Sequence, residues 1–260
     1  MSIVVFIQAR TSSTRLPGKI FLNFGSRNML KTVVDRVSYS KLVDKVIVVT
    51  SDEPEDNATA NFCESENIAF FRGPLQDVLA RFYHAAIYYN RPKIIVRVTA
   101  DCPFIDASLI DLMLYKFTNS DLDYLANSAP PPGTFPDGLD VEIFTFEALE
   151  RAHKESFLPS DREHVTFYFW KSGRFKTSRH DFHDDFSNLR FTVDYLEDYQ
   201  LLRNIHERLS CMDEMFNLDT LLEFVKSNKL ELPDSRLRNL GWESSKARDR
   251  KYMSGQKELE

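Results

Sequence analysis

The segment IQARTSSTRLPGK, residues 7–19, carries Arg10, Arg15 and Lys19 beside the hydroxyls of Thr11, Ser12, Ser13 and Thr14, with no acid. Guanidinium, ammonium and hydroxyl donors gathered in one loop suit a polyphosphate. A solvated basic loop would have the same composition. The pattern is neither a Walker A loop nor a dinucleotide fingerprint, since both need glycines that are missing here. Pro17 and Gly18 then turn the chain. The loop position implies an exposed Lys19, so its removal should weaken binding at little cost in stability.

Two aspartates follow apolar runs: Asp101 in RVTADCPFID (97–106) and Asp194 in LRFTVDYLED (189–198). If both runs are parallel strands, the carboxylates converge at one sheet edge, where oxygen ligands suit a hard divalent cation. Mg²⁺ bridging Asp101, Asp194 and a triphosphate would account for the basic loop as well. The competing reading of Asp194 is a helix cap, since Asp194 and Glu197 fit a relaxed capping box. Asp106 fits a cap better than Asp101 does. In FPDGLDVEIF (135–144), Asp140 and Glu142 are two apart and share one strand face, with Asp137 close by. That face suits sugar or polyol hydroxyls; the alternative is a Pro-Asp-Gly turn before an exposed face. Glu163 and His164 lie in PSDREHV (159–165), where Ser160 and Glu163 read as a capping box. Cys102 reads as a small buried residue, and His153, His180 and His183 as surface residues.

Short β-branched runs at 3–7, 45–50, 68–71 and 93–99 alternate with helical patterns at 29–37, 76–89 and 107–117. Strands buried on both faces and alternating with helices imply βαβ units and a parallel sheet. Residues 127–138 are too rich in proline and glycine for regular structure. A strand is expected at 139–144, helices at 146–156 and 161–173, strands at 175–182 and 189–194, and helices at 196–209 and 218–228. Residues 1–240 read as one domain and 241–260 as a polar, loosely packed tail. The 260 residues carry a net charge of −6, which disfavours general nucleic-acid binding. No apolar run reaches the roughly 18 residues of a membrane span. The apolar N-terminal run is too short for a signal peptide, and the odd number of cysteines fits no disulfide framework, so a cytoplasmic protein is expected.

Six motifs, IQARTSSTRLPGK, FRGPLQDVLARF, RVTADCPFID, FPDGLDVEIF, SDREHVTFY and LRFTVDYLED, occur in the order of the spore-coat polysaccharide biosynthesis protein F family. The chain resembles that family, and through it the cytidylyltransferases that make CMP-Kdo and CMP-sialic acid, from residue 3 to about residue 228. The resemblance implies a nucleotide-diphospho-sugar-transferase (Rossmann-like) α/β fold in three layers, with a mixed, mostly parallel sheet and a small appended region. It implies attack by an oxygen of a sugar-acid-like acceptor on the α-phosphate of CTP, with Mg²⁺ as cofactor and pyrophosphate released. Arg10, Arg15 and Lys19 become the phosphate clamp, and Ala9 in a glycine-poor loop points to CTP. Asp101 and Asp194 match metal-binding aspartates. Gln8, Ser13, Arg72, Asp77, Arg81 and Thr99 fall on the nucleotide side. Asp137, Asp140, Glu142, Glu163, His164 and Arg190 fall on the acceptor side, all but Arg190 in segments peculiar to the spore-coat group. Relatives of this kind dimerise through the appended region, here 130–185. Two other readings stand beside this one. A nucleotide-sugar-dependent glycosyltransferase would need its Asp-x-Asp motif after a central strand, whereas DLD at 121–123 follows a predicted helix. A nucleotide-binding module without chemistry would need to lack Asp101 or Lys19.

Overall fold

The computed structural model describes residues 2–233 and 240–257. The strands are β1 (Ile3–Gln8), β2 (Asn23–Phe24), β3 (Arg27–Asn28), β4 (Lys45–Ser51), β5 (Ala69–Gly73), β6 (Ile94–Thr99), β7 (Tyr124–Ala126), β8 (Glu142–Thr145) and β9 (Thr177–Arg179). The helices are α1 (Met29–Ser38), α2 (Asn57–Ser65), α3 (Val78–Tyr88), α4 (Ala107–Thr118), α5 (Phe146–Glu155), α6 (Pro159–His164), α7 (Phe167–Lys171), α8 (Leu196–Ser210), α9 (Leu218–Ser227) and α10 (Leu240–Lys257). Seven strands form one sheet in the order β5-β4-β1-β6-β8-β7-β9, and β2 pairs only with β3. In the large sheet β8 alone runs antiparallel to its neighbours.

The β-branched runs are buried on both faces, as a parallel sheet between helical layers requires. Along β1, Ile3, Val5 and Ile7 join one core with residues of α1, α4, α8 and α9. Val4 and Phe6 join the other, with residues of α3, α5 and α7. Both cores therefore brace the strand whose end opens into the basic loop. No helix among the described residues is long and apolar enough to cross a membrane.

Four sequence-based assignments change. Residues 161–173 do not form one helix: α6 stops at His164, Val165 takes φ +62°, and α7 begins at Phe167. The break lets the Thr166 hydroxyl reach buried Glu142, a tertiary bond that outweighs local helix propensity. The strand expected at 189–194 does not form: Arg190 makes one isolated parallel bridge to Asp137, and residues 191–194 join no sheet. Phe191 N–H donates to Asp137 O at 2.7 Å and Val193 N–H to Asp101 O at 2.9 Å, so loop carbonyls replace a neighbouring strand. Strand β8 begins at Glu142, which leaves Asp140 in the approach to it. The stretch read as a loose tail contains α10, which lies on α6: Ser160 N–H donates to Asp249 at 2.9 Å, His164 meets Ser245 Oγ at 2.6 Å, and Arg248 pairs with Glu163. Polar docking of this kind leaves no apolar period in the sequence.

Candidate active site

The basic loop leaves β1 at the carboxyl edge of the sheet, where open α/β sheets bind ligands. A buried carboxylate sets its shape. Asp56, fully buried before α2, accepts from Thr11 N–H at 2.6 Å, from Thr11 Oγ1 at 2.8 Å and from Ser51 Oγ. Thr11 O then accepts from Ser13 N–H at 2.9 Å and Gly18 N–H at 3.0 Å, which closes the loop on itself. Gly18 at φ +69° leads into the short 3₁₀ turn Lys19–Phe21. Arg10 is exposed on the loop, Arg15 is partly so, and Ala9 is buried beneath it.

Lys19 turns inward and is buried, contrary to the exposed position expected of it. Its Nζ donates to Asp101 Oδ2 at 2.7 Å, Val193 O at 2.7 Å and Asp194 Oδ1 at 3.1 Å. The two aspartates thus converge as expected, although Asp194 comes from an irregular segment instead of a strand. An ammonium sits between them and offsets their repulsion. Burial pushes the Lys19 pKa down, but the two carboxylates outweigh it and the net shift is upward. Burial raises the Asp101 carboxyl, and the charge and hydrogen bond of Lys19 then pull it down to about 2. Asp194 also accepts from Arg15 Nη2 at 2.5 Å and Arg190 Nη2 at 2.5 Å. Arg190 reaches on to Asp137, which accepts a second bond from Thr192 Oγ1 at 2.9 Å. Gly138 permits this approach. It sits at φ +98°, where a Cβ would come 2.5 Å from the Phe191 carbonyl carbon.

Asp194 does not cap α8. Asp198, in the first turn, reaches back to accept from Asp194 N–H at 3.0 Å and Tyr195 N–H at 2.9 Å. Asp106 does cap α4, accepting from Ser108 N–H at 2.8 Å. The capping box read at Ser160 and Glu163 is not formed: α6 has no side-chain cap, and Ser160 Oγ is buried with no hydrogen-bond partner among the described residues. Asp198→Ala is therefore expected to cost about 0.5–2 kcal/mol in a urea titration. Asp194→Asn should leave the α8 cap intact, and equal helix fraying in the two variants, read by hydrogen exchange, would contradict this assignment.

The remaining residues divide by place. Arg72 donates to the carbonyls of Ser51 (3.0 Å) and Glu53 (2.9 Å). Arg81 is buried against the carbonyls of Pro74 (2.9 Å) and Leu75 (2.8 Å), and burial brings its pKa down to about 10. Asp77 caps α3 and pairs with Arg162 at 2.5 Å. Thr99 Oγ1 contacts Cys102 Sγ at 3.1 Å, and burial holds that thiol in its protonated form. Asp140 is half-buried; burial, then Asp137 and Glu142, raise its carboxyl to about 7. Glu142 is buried with both oxygens bonded, to Tyr124, Thr166 and Arg97. Glu163 and His164 face α10. Burial keeps His164 neutral down to about pH 4. Asp121 and Asp123 precede β7 and bond Lys176, at the sheet edge opposite Asp101, where a glycosyltransferase metal motif could not reach the basic loop. Asp56, Arg97, Thr192 and Asp198 were not picked out in the sequence. Asp56 is one of several acids in SDEPEDN, the partners of Arg97 and Thr192 are distant along the chain, and Asp198 was passed over for Glu197 as the acid of the α8 cap.

A mostly parallel sheet, a basic loop closing over a Lys-Asp-Asp cluster and an acidic segment entering β8 together define a nucleotidyltransferase. The match to solved structures assigns the nucleotide-diphospho-sugar-transferase fold. The chain belongs to the cytidylyltransferase family, whose profile matches residues 4–231. It is 31% identical over 218 residues to the spore coat polysaccharide biosynthesis protein SpsF of Bacillus subtilis, covering 79% of this chain and 87% of that protein. The structure of a cytidylyltransferase from Leptospira borgpetersenii serovar Hardjo-bovis superposes with a TM-score of 0.82 at 36% identity, over 88% of this chain and 95% of that one. CMP:2-keto-3-deoxy-manno-octonic acid synthetase, solved with CTP, shares the fold with a TM-score of 0.60 at 16% identity, over 80% of this chain and 99% of that one.

Proposed function

We propose that this chain transfers CMP from CTP to a hydroxyl of a sugar acid or related polyol that feeds a surface polysaccharide, in the cytoplasm where CTP is made. The observation that carries the reading is the buried Lys19 ammonium between Asp101 and Asp194 at the mouth of the basic loop. The acceptor hydroxyl gives up its proton to solvent, its oxygen forms a bond to the α-phosphorus, the bond to the bridging oxygen breaks, and pyrophosphate leaves. Such transfer depends on positioning and charge neutralisation. Arg10, Ser13 and Arg15 hold the phosphates, Lys19 holds Asp101 and Asp194 beside them, and Asp137, Asp140 and Arg190 face the acceptor. Two converging carboxylates are hard oxygen donors and fit Mg²⁺. Asp101 and Asp194 would hold the ion, which when bound supplies positive charge to the phosphate oxygens. Residues 130–185 form the face of a homodimer.

CTP, UTP, ATP and GTP are each to be mixed with Mg²⁺ and a panel of sugar acids, and pyrophosphate measured. Release with CTP and one acceptor class is expected. CTP should also raise the melting temperature most, since a ligand at 100 times its Kd adds about 2.7 kcal/mol. Equal shifts with all four nucleotides would remove the CTP assignment.

A further inference from the structure

One row of polar side chains crosses the sheet on the face covered by α3, α5 and α7. Gln8 ends β1, Arg97 lies on β6 over the Phe82 ring, Glu142 begins β8 and Tyr124 begins β7. Arg97 donates twice to Gln8 Oε1, from Nε at 3.2 Å and from Nη2 at 2.9 Å. Its Nη1 pairs with Glu142 Oε2. The other Glu142 oxygen accepts from Tyr124 OH at 2.7 Å and Thr166 Oγ1 at 2.5 Å. Tyr124 is fully buried, and Glu142 and Thr166 nearly so. Burial first, and then Glu142, push the Tyr124 phenol up, so it remains an O–H donor.

The polarity of the row has one solution. Arginine has five donors and no acceptor, so the Gln8 amide must turn its oxygen toward Arg97 and its NH₂ away. Gln8 is only partly buried, and its Nε2 has no hydrogen-bond partner among the described residues. Its carbonyl accepts from Ala100 N–H at 3.0 Å, which ties it to the turn bearing Asp101, and it immediately precedes the basic loop.

We propose that Gln8 reads an oxygen acceptor on bound CTP through N–H donors alone, and that Arg97, Glu142, Tyr124 and Thr166 are positioning residues that lock that polarity. The inference rests on reading the basic loop as the CTP site. It also separates Glu142 from the acceptor: this carboxylate acts on the nucleotide through Arg97 and Gln8.

The test is CTP affinity of the full chain in Mg²⁺, by titration calorimetry, which needs no acceptor. Gln8→Glu keeps a partner for Arg97 and so should melt no lower than wild type. It turns an acceptor outward in place of a donor and should bind CTP at least tenfold more weakly. Gln8→Met, which removes the donors without adding charge, should weaken binding about 2–12-fold, the range for one neutral hydrogen bond. Tyr124→Phe should weaken CTP binding two- to threefold in the wild type and not at all in the Gln8→Met background. Gln8→Glu and Gln8→Met both binding within twofold of wild type would overturn the proposal while leaving the CTP site in place. An equal loss from Tyr124→Phe in both backgrounds would overturn the positioning role. A folded wild type that ignores CTP would remove the nucleotide reading itself, and this proposal with it.

Discussion

Lys19→Ala is expected to melt about 6–20 °C below wild type and to release pyrophosphate at least a hundredfold more slowly. Removing one partner of a buried ion cluster costs about 3–5 kcal/mol, because the charges left behind stay desolvated. For a chain of this size each kcal/mol moves the melting temperature by about 2–4 °C. The loss of turnover follows from the place of the ammonium between Asp101 and Asp194. Proton linkage sets the pH window. Asp101 is held at about 2, below its ordinary value near 3.9, so its contribution is full above 3.9 and is lost as pH falls toward 2. Lys19 is raised, so its contribution is full below its ordinary value near 10.4 and is lost as pH rises through the folded value. The gap between wild type and variant should therefore be widest from about pH 4 to 10 and close in acid. Mg²⁺ should raise the variant's melting temperature more than the wild type's, because two carboxylates without their ammonium attract a divalent ion. A variant melting within 2 °C of wild type at pH 7 would show that the bridge carries no energy.

Gly138→Ala should be the next most damaging change. Its Cβ would lie 2.5 Å from the Phe191 carbonyl carbon and 2.7 Å from Thr192 N, both backbone atoms that cannot rotate aside. Overpacking of this kind costs about 1–3 kcal/mol, and an L-residue at this positive φ adds about 1–2 kcal/mol. The 137–138 segment must withdraw, taking Asp137 from Arg190 and Thr192. Loss of at least 5 °C in melting temperature and tenfold in turnover is expected. Gly18→Ala is the control: it has a similar φ but nothing within 4 Å, so only the strain should register. Equal losses from the two variants in thermal melts would rule out the close approach at Phe191.

The residues with formal charge beside strand ends were legible in the sequence, because a strand followed by a charged turn is a local pattern. Lys19 in the loop after β1, Asp101 after β6 and Asp194, which follows no strand, are brought together by the fold. What escaped was whatever depended on partners far along the chain. Nothing near Lys19 marks it as buried; its burial comes from Val193 O, 174 positions away. Asp56 looks like one acid among several in SDEPEDN, and only the fold makes it the clasp of Thr11. The α6–α7 break, likewise, follows from Glu142, which no local periodicity reports.

The reversed direction of β8 has an evolutionary consequence. Because it runs against β6, the segment entering it, residues 127–141, opens onto the same edge that β1 and β6 reach on leaving the sheet. The outer turn of that segment, around Pro131 and Pro132, can be lengthened or shortened without altering the βαβ units that carry the basic loop and Asp101, while Asp137 and Gly138 stay against Arg190–Thr192. On the proposed placement of the acceptor at this segment, acceptor preference and nucleotide chemistry can thus diverge separately within one scaffold.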